Sequence, residues 1–181
     1  MNYYGAKDLA AGFRTVRQNT IAIANEIPEE QYNFRATPES RTVAQTLVHI
    51  AASPRLQESV HRSQQLSTLE GFDFVAVIGE IVGEEQTPRT KSEIIALLTE
   101  SGESFAVWME GLSEEFLGQS VSMPSGMTPP VKSRFEMILS AKEHEMHHRA
   151  QLMVMERMIG IVPHLTRQMQ AMMAARAQGA K

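Results

Sequence analysis

Hydrophobic residues recur at intervals of three and four along five segments of the chain, which predicts amphipathic α-helices. The segments cover about 7–25, 40–56, 91–112, 132–159 and 165–177, and the second helix begins at Ser40 or Thr42. Pro28 ends the first helix, and Gly160 with Pro163 ends the fourth, because proline and a left-handed glycine terminate helices. Four main apolar stripes predict an all-α protein, a four-helix bundle with an additional short C-terminal helix, in one domain spanning residues 1–181.

Two segments between the helices have less regular patterns. Residues 72–82 are rich in β-branched side chains, yet a single strand in a helical chain has no partner, so we interpret them as a short helix or a lid-like connection. Residues 118–130 contain several prolines and glycines and cannot continue a helix, which predicts a long connection. Residues 72–82 and the Met123–Met127 part of the second segment, with Phe74 and Met123 as test positions, are predicted to wall a pocket.

The fourth helix carries two histidines inside its apolar stripe. His144 and His148 are four residues apart, which places their Cβ atoms roughly 6 Å apart on one face, close enough for both imidazoles to meet one ion. A lone buried histidine is usually a core residue with a satisfied hydrogen bond. Two such histidines would leave several ring nitrogens to satisfy in an apolar setting, which favours a metal site.

The same residues, 144–148, also match the H-E-x-x-H signature of zinc metalloproteases, in which Glu145 would be the general base. The extended form of that signature requires Gly and His at positions where this chain has Gln151 and Val154. The other form requires a downstream Glu ligand, and Glu156 on the same helix is the only acidic residue after the motif. The protease hypothesis is therefore disfavoured.

A third ligand from a facing helix would complete the site, and His49, near the inward face of the second helix, is the candidate. His61 and His164 lie in polar or turn segments and are expected to be solvated. His147 points about 100° away from His148, since adjacent residues do not share a helix face, and it stays an alternative ligand.

Composition narrows the function classes. The chain has 181 residues, 43% of them hydrophobic, and a formal charge of −4, so no basic field for nucleic acid is expected. Cysteine is absent, so any thiol chemistry needs a thiol from outside the chain. The N-terminal sequence lacks the pattern of a signal peptide, and no eighteen apolar residues run together, so we expect a cytoplasmic protein with no membrane partner.

Several motifs occur together in a familiar order: 33–35 (Asn-Phe-Arg), 40–51, 144–152 (His-Glu-Met-His-His-Arg-Ala-Gln-Leu), and Gly160-Ile161 with Pro163. In this combination the chain resembles the DinB family, the damage-inducible and YfiT-like group of four-helix-bundle metalloenzymes, over nearly its whole length. The resemblance implies metal ligands at His49, His144 and His148. It also implies an up-down-down-up order of helices and frequent homodimers.

Function within that family is divided between thiol-dependent transferases, a thiol-dependent isomerase and many members of no established activity. The resemblance and the site chemistry predict a metal-dependent enzyme that joins a low-molecular-weight thiol to an electrophilic small molecule. The alternatives are a metal-dependent hydrolase and a metal-binding stress-response or accessory protein without turnover. The expected cofactor is a divalent transition metal, zinc or nickel before iron. Glu145 and Gln151 are candidate proton carriers or orienting groups, with Glu145 expected on the solvated face.

Overall fold

A computed structural model describes residues 4–179 of the chain. Two short strands, β1 (Ser120–Ser122) and β2 (Val131–Ser133), pair antiparallel, and a π-helix covers Glu58–Ser63. The helices are α1 (Ala6–Glu26), α2 (Val43–Ala52), α3 (Arg55–Gln57), α4 (Phe74–Glu85), α5 (Lys91–Glu110), α6 (Glu114–Gly118), α7 (Arg134–Met158) and α8 (His164–Gly179). The main helices predicted from the apolar periodicity are confirmed, with ends that shift by a few residues.

Contacts along α1 show which way its neighbours run. The Tyr4 ring meets Phe135 at the start of α7 with centroids 6.0 Å apart, and farther along α1 the Arg17 side chain bonds Glu145. The two helices therefore run parallel. Arg17 also donates to the carbonyl of Leu98 on α5 at 2.7 Å.

The contacts of α5 with α1, and of α2 with α7, follow the opposite order: later residues of one helix meet earlier residues of the other. Phe13 meets Phe105 at a centroid distance of 5.2 Å, although Arg17, later on α1, reaches the earlier residue Leu98, so α1 and α5 are antiparallel. His49 of α2 lies beside His144, and Gln57, eight residues later, donates to Ser140 at 3.2 Å. Thus α2 and α7 are antiparallel, which confirms the up-down-down-up bundle.

Polar caps fix where the two histidine-bearing helices begin. The Thr42 hydroxyl accepts from the Gln45 backbone N–H at 3.1 Å, and the Gln45 side chain accepts from the Thr42 N–H at 3.0 Å. The Ser133 hydroxyl caps α7 by accepting from the Glu136 N–H at 3.1 Å. These caps satisfy N–H groups that the first helical turn leaves free, so they set the positions of the residues one to three turns later.

The two irregular segments separate in the structure. Residues 72–82 belong mostly to α4, which confirms the short-helix interpretation, and Ile78 and Ile81 line a pocket. Residues 118–130 include β1 and the turn of a hairpin, which the sequence analysis did not predict, and Gly126 allows this turn by adopting a φ of +87°. Phe74 and Met123 pack on a separate apolar cluster around Leu69 and line no pocket beside the histidines. No helix within residues 4–179 combines the length and apolar character that a bilayer-spanning segment requires.

Candidate metal centre

Three histidines from two antiparallel helices meet in the groove between α2 and α7. The Nε2 atom of His144 lies 3.3 Å from Nε2 of His49 and 3.1 Å from Nε2 of His148. The ligand atoms of all three residues lie within 4.8 Å of one another. These are the residues that the helical spacing and the family resemblance nominated together.

The separations fit a metal ion. With metal–nitrogen bonds of about 2.0–2.1 Å, two histidine ligands lie about 3.4 Å apart in a tetrahedral shell and about 2.9 Å apart in an octahedral one. The observed 3.1 and 3.3 Å fall between these values. The residues present therefore could hold a divalent transition metal with little movement.

Hydrogen bonds behind the rings aim lone pairs at this point. The Nδ1 atom of His49 lies 2.8 Å from a Glu85 carboxylate oxygen, and Nδ1 of His148 lies 2.9 Å from the Gln151 side-chain oxygen. Since both partners accept, Nδ1 carries the proton in each neutral ring and Nε2 presents a lone pair. The Nε2 atom of His144 faces the Nε2 lone pairs of both His49 and His148. One proton on His144 cannot satisfy both lone pairs, whereas one cation can.

The electrostatic setting keeps these rings neutral. Burial, with smaller contributions from the neighbouring His148 and His49, lowers the pKa of His144 to about 4. Burial likewise lowers the pKa of His148 to about 4, against the opposing effect of its hydrogen bond with Gln151. Burial and the charge of Arg41 lower the pKa of His49, although Glu85 opposes them. Neutral imidazole is the form that binds metal, so the site is ready for a cation near pH 7.

A cavity of about 360 Å³ adjoins the centre. His49 and His144 form part of its wall, and Leu56, Ile78 and Ile81 supply apolar surface. This volume lies within the range of small-molecule pockets. A ligand in this cavity could therefore approach the point where the three Nε2 atoms converge.

The other histidines take different positions from those predicted. His61 and His164 are 1% and 6% exposed, so the prediction that they are solvated was wrong. His61 is buried because its Nδ1 faces Arg134 at 2.9 Å, and His164 because its Nε2 faces Asn19 at 3.0 Å. His147 is exposed, and its Nε2 lies 3.2 Å from the Gln151 side-chain nitrogen, so the structure does not bring it to the centre.

Glu145 is not a solvated helix residue. Its side chain is 3% exposed and forms an ion pair with Arg17 at 3.0 Å, and Thr20 donates to it at 2.7 Å. The expectation of a solvated or proton-carrying Glu145 was wrong, because α1 supplies a buried cation opposite this position. Gly102 on α5 makes room for that cation, since a Cβ at Gly102 would lie 2.8 Å from the Arg17 Cγ.

Glu156, the remaining protease candidate, is fully buried, and its two carboxylate oxygens lack a hydrogen-bond partner among the described residues. Burial and the nearby charge of Glu26 raise its pKa to about 7. It does not belong to the histidine cluster, so the metalloprotease arrangement is absent from residues 4–179.

The sequence analysis missed Glu85 and Arg41. Glu85 is 8% exposed; its second oxygen accepts from the Arg41 Nε at 2.7 Å. A signal was available: Ile78, Ile81 and Glu85 follow one another at steps of three and four, which places a carboxylate on the inward face of α4. Treating the segment as ending at residue 82 removed that signal.

The fold and the centre define a class: a helical bundle whose facing helices bring three imidazoles to one point. The chain belongs to the DinB superfamily, whose family model matches residues 13–152. This confirms the resemblance inferred from the motifs.

Relatives and solved structures agree with this assignment. The uncharacterized protein YjoA of Bacillus subtilis is 22% identical over 155 residues, which are 86% of this chain and 91% of YjoA. The crystal structure of YjoA, described as a DinB-like protein, matches with a TM-score of 0.60 at 20% identity, over 84% of this chain and 91% of that one. YfiT of Bacillus subtilis, described as a probable metal-dependent hydrolase with an unusual four-helix bundle topology, matches with a TM-score of 0.65 at 16% identity, over 86% and 88%. At these identities the structural likeness shows the shared fold.

Proposed function

We propose that the chain is a metal-dependent enzyme that joins a low-molecular-weight thiol to an electrophilic small molecule, with His49, His144 and His148 as the metal ligands. One observation carries the proposal: three Nε2 atoms converge beside a cavity of about 360 Å³. Three protein ligands with an adjoining cavity are typical of catalytic metal sites, whereas structural sites are closed by four.

A divalent metal held by these residues would supply the Lewis acidity that removes the proton of a thiol or a water near neutral pH. Zinc and nickel are the first candidates and iron the third, because imidazole nitrogen suits all of them. Glu85 and Gln151 orient the His49 and His148 rings through Nδ1. Leu56, Ile78 and Ile81 provide apolar surface on which an electrophile could pack.

The nucleophile has to come from solution. The chain has no cysteine, so a protein thiolate is not available, and an external thiol fits the thiol-dependent chemistry that the family resemblance implies. A hydrolase, in which water is the nucleophile, is the second candidate. The description of YfiT as a probable metal-dependent hydrolase favours it.

We also propose a homodimer, as the resemblance implies. The outward side of α8 supports it, because Met169, Met172 and Met173 are 52, 43 and 64% exposed at helical spacing. Light scattering at several protein concentrations tests this state, and a monomer at all of them would contradict it.

The function is tested with purified protein in metal-loaded and chelated forms. N-acetylcysteine is the thiol, and an alkyl halide, an epoxide and an unsaturated ketone are the electrophiles. We expect conjugation to depend on metal and to be lost in His148→Ala, and Glu143→Ala, an exposed position on the same helix, is the control. Equal rates with and without metal would contradict the transferase. Metal-dependent ester or amide cleavage without thiol would establish the hydrolase instead, and tight metal binding without either activity would establish the accessory protein.

A further inference from the structure

A second cavity, of about 720 Å³, lies at the other side of the histidines in the same groove. Its polar wall includes Arg35, Glu39, Arg41, Gln45, Gln86 and Gln151. Its size is in the range of small-molecule sites.

The residue order along three helices places the candidate metal centre between the two cavities. On α2, Gln45 lines the polar cavity, His49 belongs to the centre, and Ser53 lines the apolar cavity. The antiparallel α7 gives the same order in reverse sequence, with Gln151 in the polar wall and Ala141 in the apolar one.

The third helix, α4, agrees. Gln86, the residue that directly follows it, lines the polar cavity, Glu85 bonds His49, and Ile81 and Ile78 line the apolar cavity. The three helices run in different directions and have different sequences, yet each shows the same order along the bundle: the apolar cavity, then the histidines, then the polar cavity.

Two wall residues of the polar cavity are connected to the candidate metal centre, one directly and one through Glu85. Gln151 bonds the His148 ring at 2.9 Å. Arg41 donates its Nε to Glu85, the residue that holds His49. The polar cavity is therefore connected to two of the three histidines through hydrogen bonds of its own wall residues.

The donors in the polar wall are not fully used by the protein. Within residues 4–179 the two terminal nitrogens of Arg41 form no hydrogen bond, since its one bond runs through Nε. Arg35 is exposed and makes one bond, from Nη1 to the Pro38 carbonyl at 3.2 Å. Glu39 in the wall and Glu85, the ion-pair partner of Arg41, balance the two arginines, so the cavity offers directed donors and no excess of positive charge. The paired N–H donors of a guanidinium bind a carboxylate more strongly than they bind a neutral acceptor.

We propose that the polar cavity binds the carboxylate end of the molecule that supplies the nucleophile, with Arg35 and Arg41 as its anchors, while the apolar cavity holds the electrophile. This inference rests on the proposed function, because it assigns that function's two substrates to the two sides of one centre. The molecule that supplies the nucleophile would accordingly be a small anion.

Binding to the cobalt(II)-loaded protein tests the inference with two matched pairs of probes. The first pair is N-acetylcysteine and N-acetylcysteamine, which share the thiol and differ in the carboxylate, and the thiolate-to-cobalt absorption reports binding. The second pair is succinic monohydroxamate and butyric hydroxamate, which bind cobalt without a thiol. We expect the carboxylate member of each pair to bind about tenfold more tightly, as for a charge-assisted pair of hydrogen bonds.

Arg35→Gln should reduce that preference to about twofold, and Arg176→Gln, an exposed arginine on α8, should leave it unchanged at the same net charge. Equal affinities within both pairs in the unaltered protein would overturn the inference and leave the metal-dependent function standing. Preference in the hydroxamate pair with no thiol absorption would support the anion site and contradict the thiol transferase. Failure to bind cobalt would overturn both.

Discussion

Two buried polar groups lie side by side on α7, and they differ in how their hydrogen-bonding capacity is met. Glu145 accepts from the Arg17 Nε and Nη2 and from Thr20, while the remaining Arg17 nitrogen donates to Leu98 and Ser101. One residue away, His144 and its two partners direct ring nitrogens at one another, with more lone pairs than protons. The first cluster is complete within the chain, and the second is complete only with a cation.

The balance of hydrogen-bond donors and acceptors is what distinguishes a structural cluster from a binding site. A matched set fixes the bundle and needs no ligand. A set of converging acceptors is costly in the free protein, and that cost favours the ion that removes it. Burial alone does not distinguish the two, since Glu145 and His148 are 2% and 6% exposed.

The largest effect is expected from breaking the matched cluster. Arg17→Met should lower the free energy of unfolding by about 3–5 kcal/mol, because it leaves the Glu145 carboxylate buried without a cation. Urea denaturation of the metal-free protein measures this change. The double variant Arg17→Met/Glu145→Leu should recover most of the loss, and a loss of less than about 1 kcal/mol in the single variant would show that the cluster is not needed for stability.

The unmatched cluster should respond in the opposite way. His148→Ala should lower metal affinity by more than about a hundredfold, exceeding the effect of changing an outer partner, and should change the stability of the metal-free protein by about 1 kcal/mol or less. Elemental analysis and competition with a chelator measure the affinity, and urea denaturation the stability. Glu143→Ala, an exposed position on the same helix, is the control with both quantities unchanged. Retained metal in His148→Ala would contradict the assigned ligands.

Glu85→Gln tests the orientation of the His49 ring. The amide keeps the shape of the side chain but lacks the charge that fixes the Nδ1 proton, so we expect metal affinity to fall by about 10–100-fold. Glu80→Gln, an exposed position on the same helix, should have no effect. Equal affinities for the two variants would remove Glu85 from the site.

The smallest effect concerns Glu156, the buried carboxyl whose partners are missing. Its pKa is raised to about 7 by burial and by Glu26, so the folded state binds a proton that the unfolded state releases above about pH 4.5. This contribution to stability is complete below about pH 4.5 and is lost as the pH rises through 7. Glu156→Gln should therefore remove a decline of roughly 1–3 kcal/mol between pH 5 and 8. Urea denaturation across that range measures it, with exposed Glu143→Gln as the control, and parallel curves for the wild type and Glu156→Gln would contradict the raised pKa.

Much of the fold and centre could be predicted because they depend on local spacing. The i, i+4 pair His144 and His148 is visible in the sequence, and so is a cap for α2 at Ser40 or Thr42, of which the structure uses Thr42. The structure also places His49 beside the pair, where its position on the second helix and the family resemblance had nominated it. Partners from distant segments were not predictable in this way. Glu145 was expected in solvent because its cation, Arg17, is 128 residues away in the chain, and nothing near it in sequence indicates a charge on the facing helix.

The same limit explains the errors at His61 and His164. Each is buried and hydrogen-bonded to a remote residue, Arg134 or Asn19, in a segment whose local composition is polar. The hairpin of residues 120–133 was missed because strands of three residues carry too few positions to show alternation.

Arg17 links the four main helices of the bundle through one side chain. Its guanidinium bonds the Ile50 carbonyl on α2, the Leu98 carbonyl on α5 and Glu145 on α7, so no one of the four helices can separate without breaking it. Amide protons in these helices should therefore exchange with solvent as one unit, and those of α8 sooner, since residues 167–178 are exposed. Ile50 and Glu145 are next in sequence to His49 and His144, so the three-histidine site exists only while that unit is closed. Opening of that unit would therefore separate the three histidines and release a bound metal.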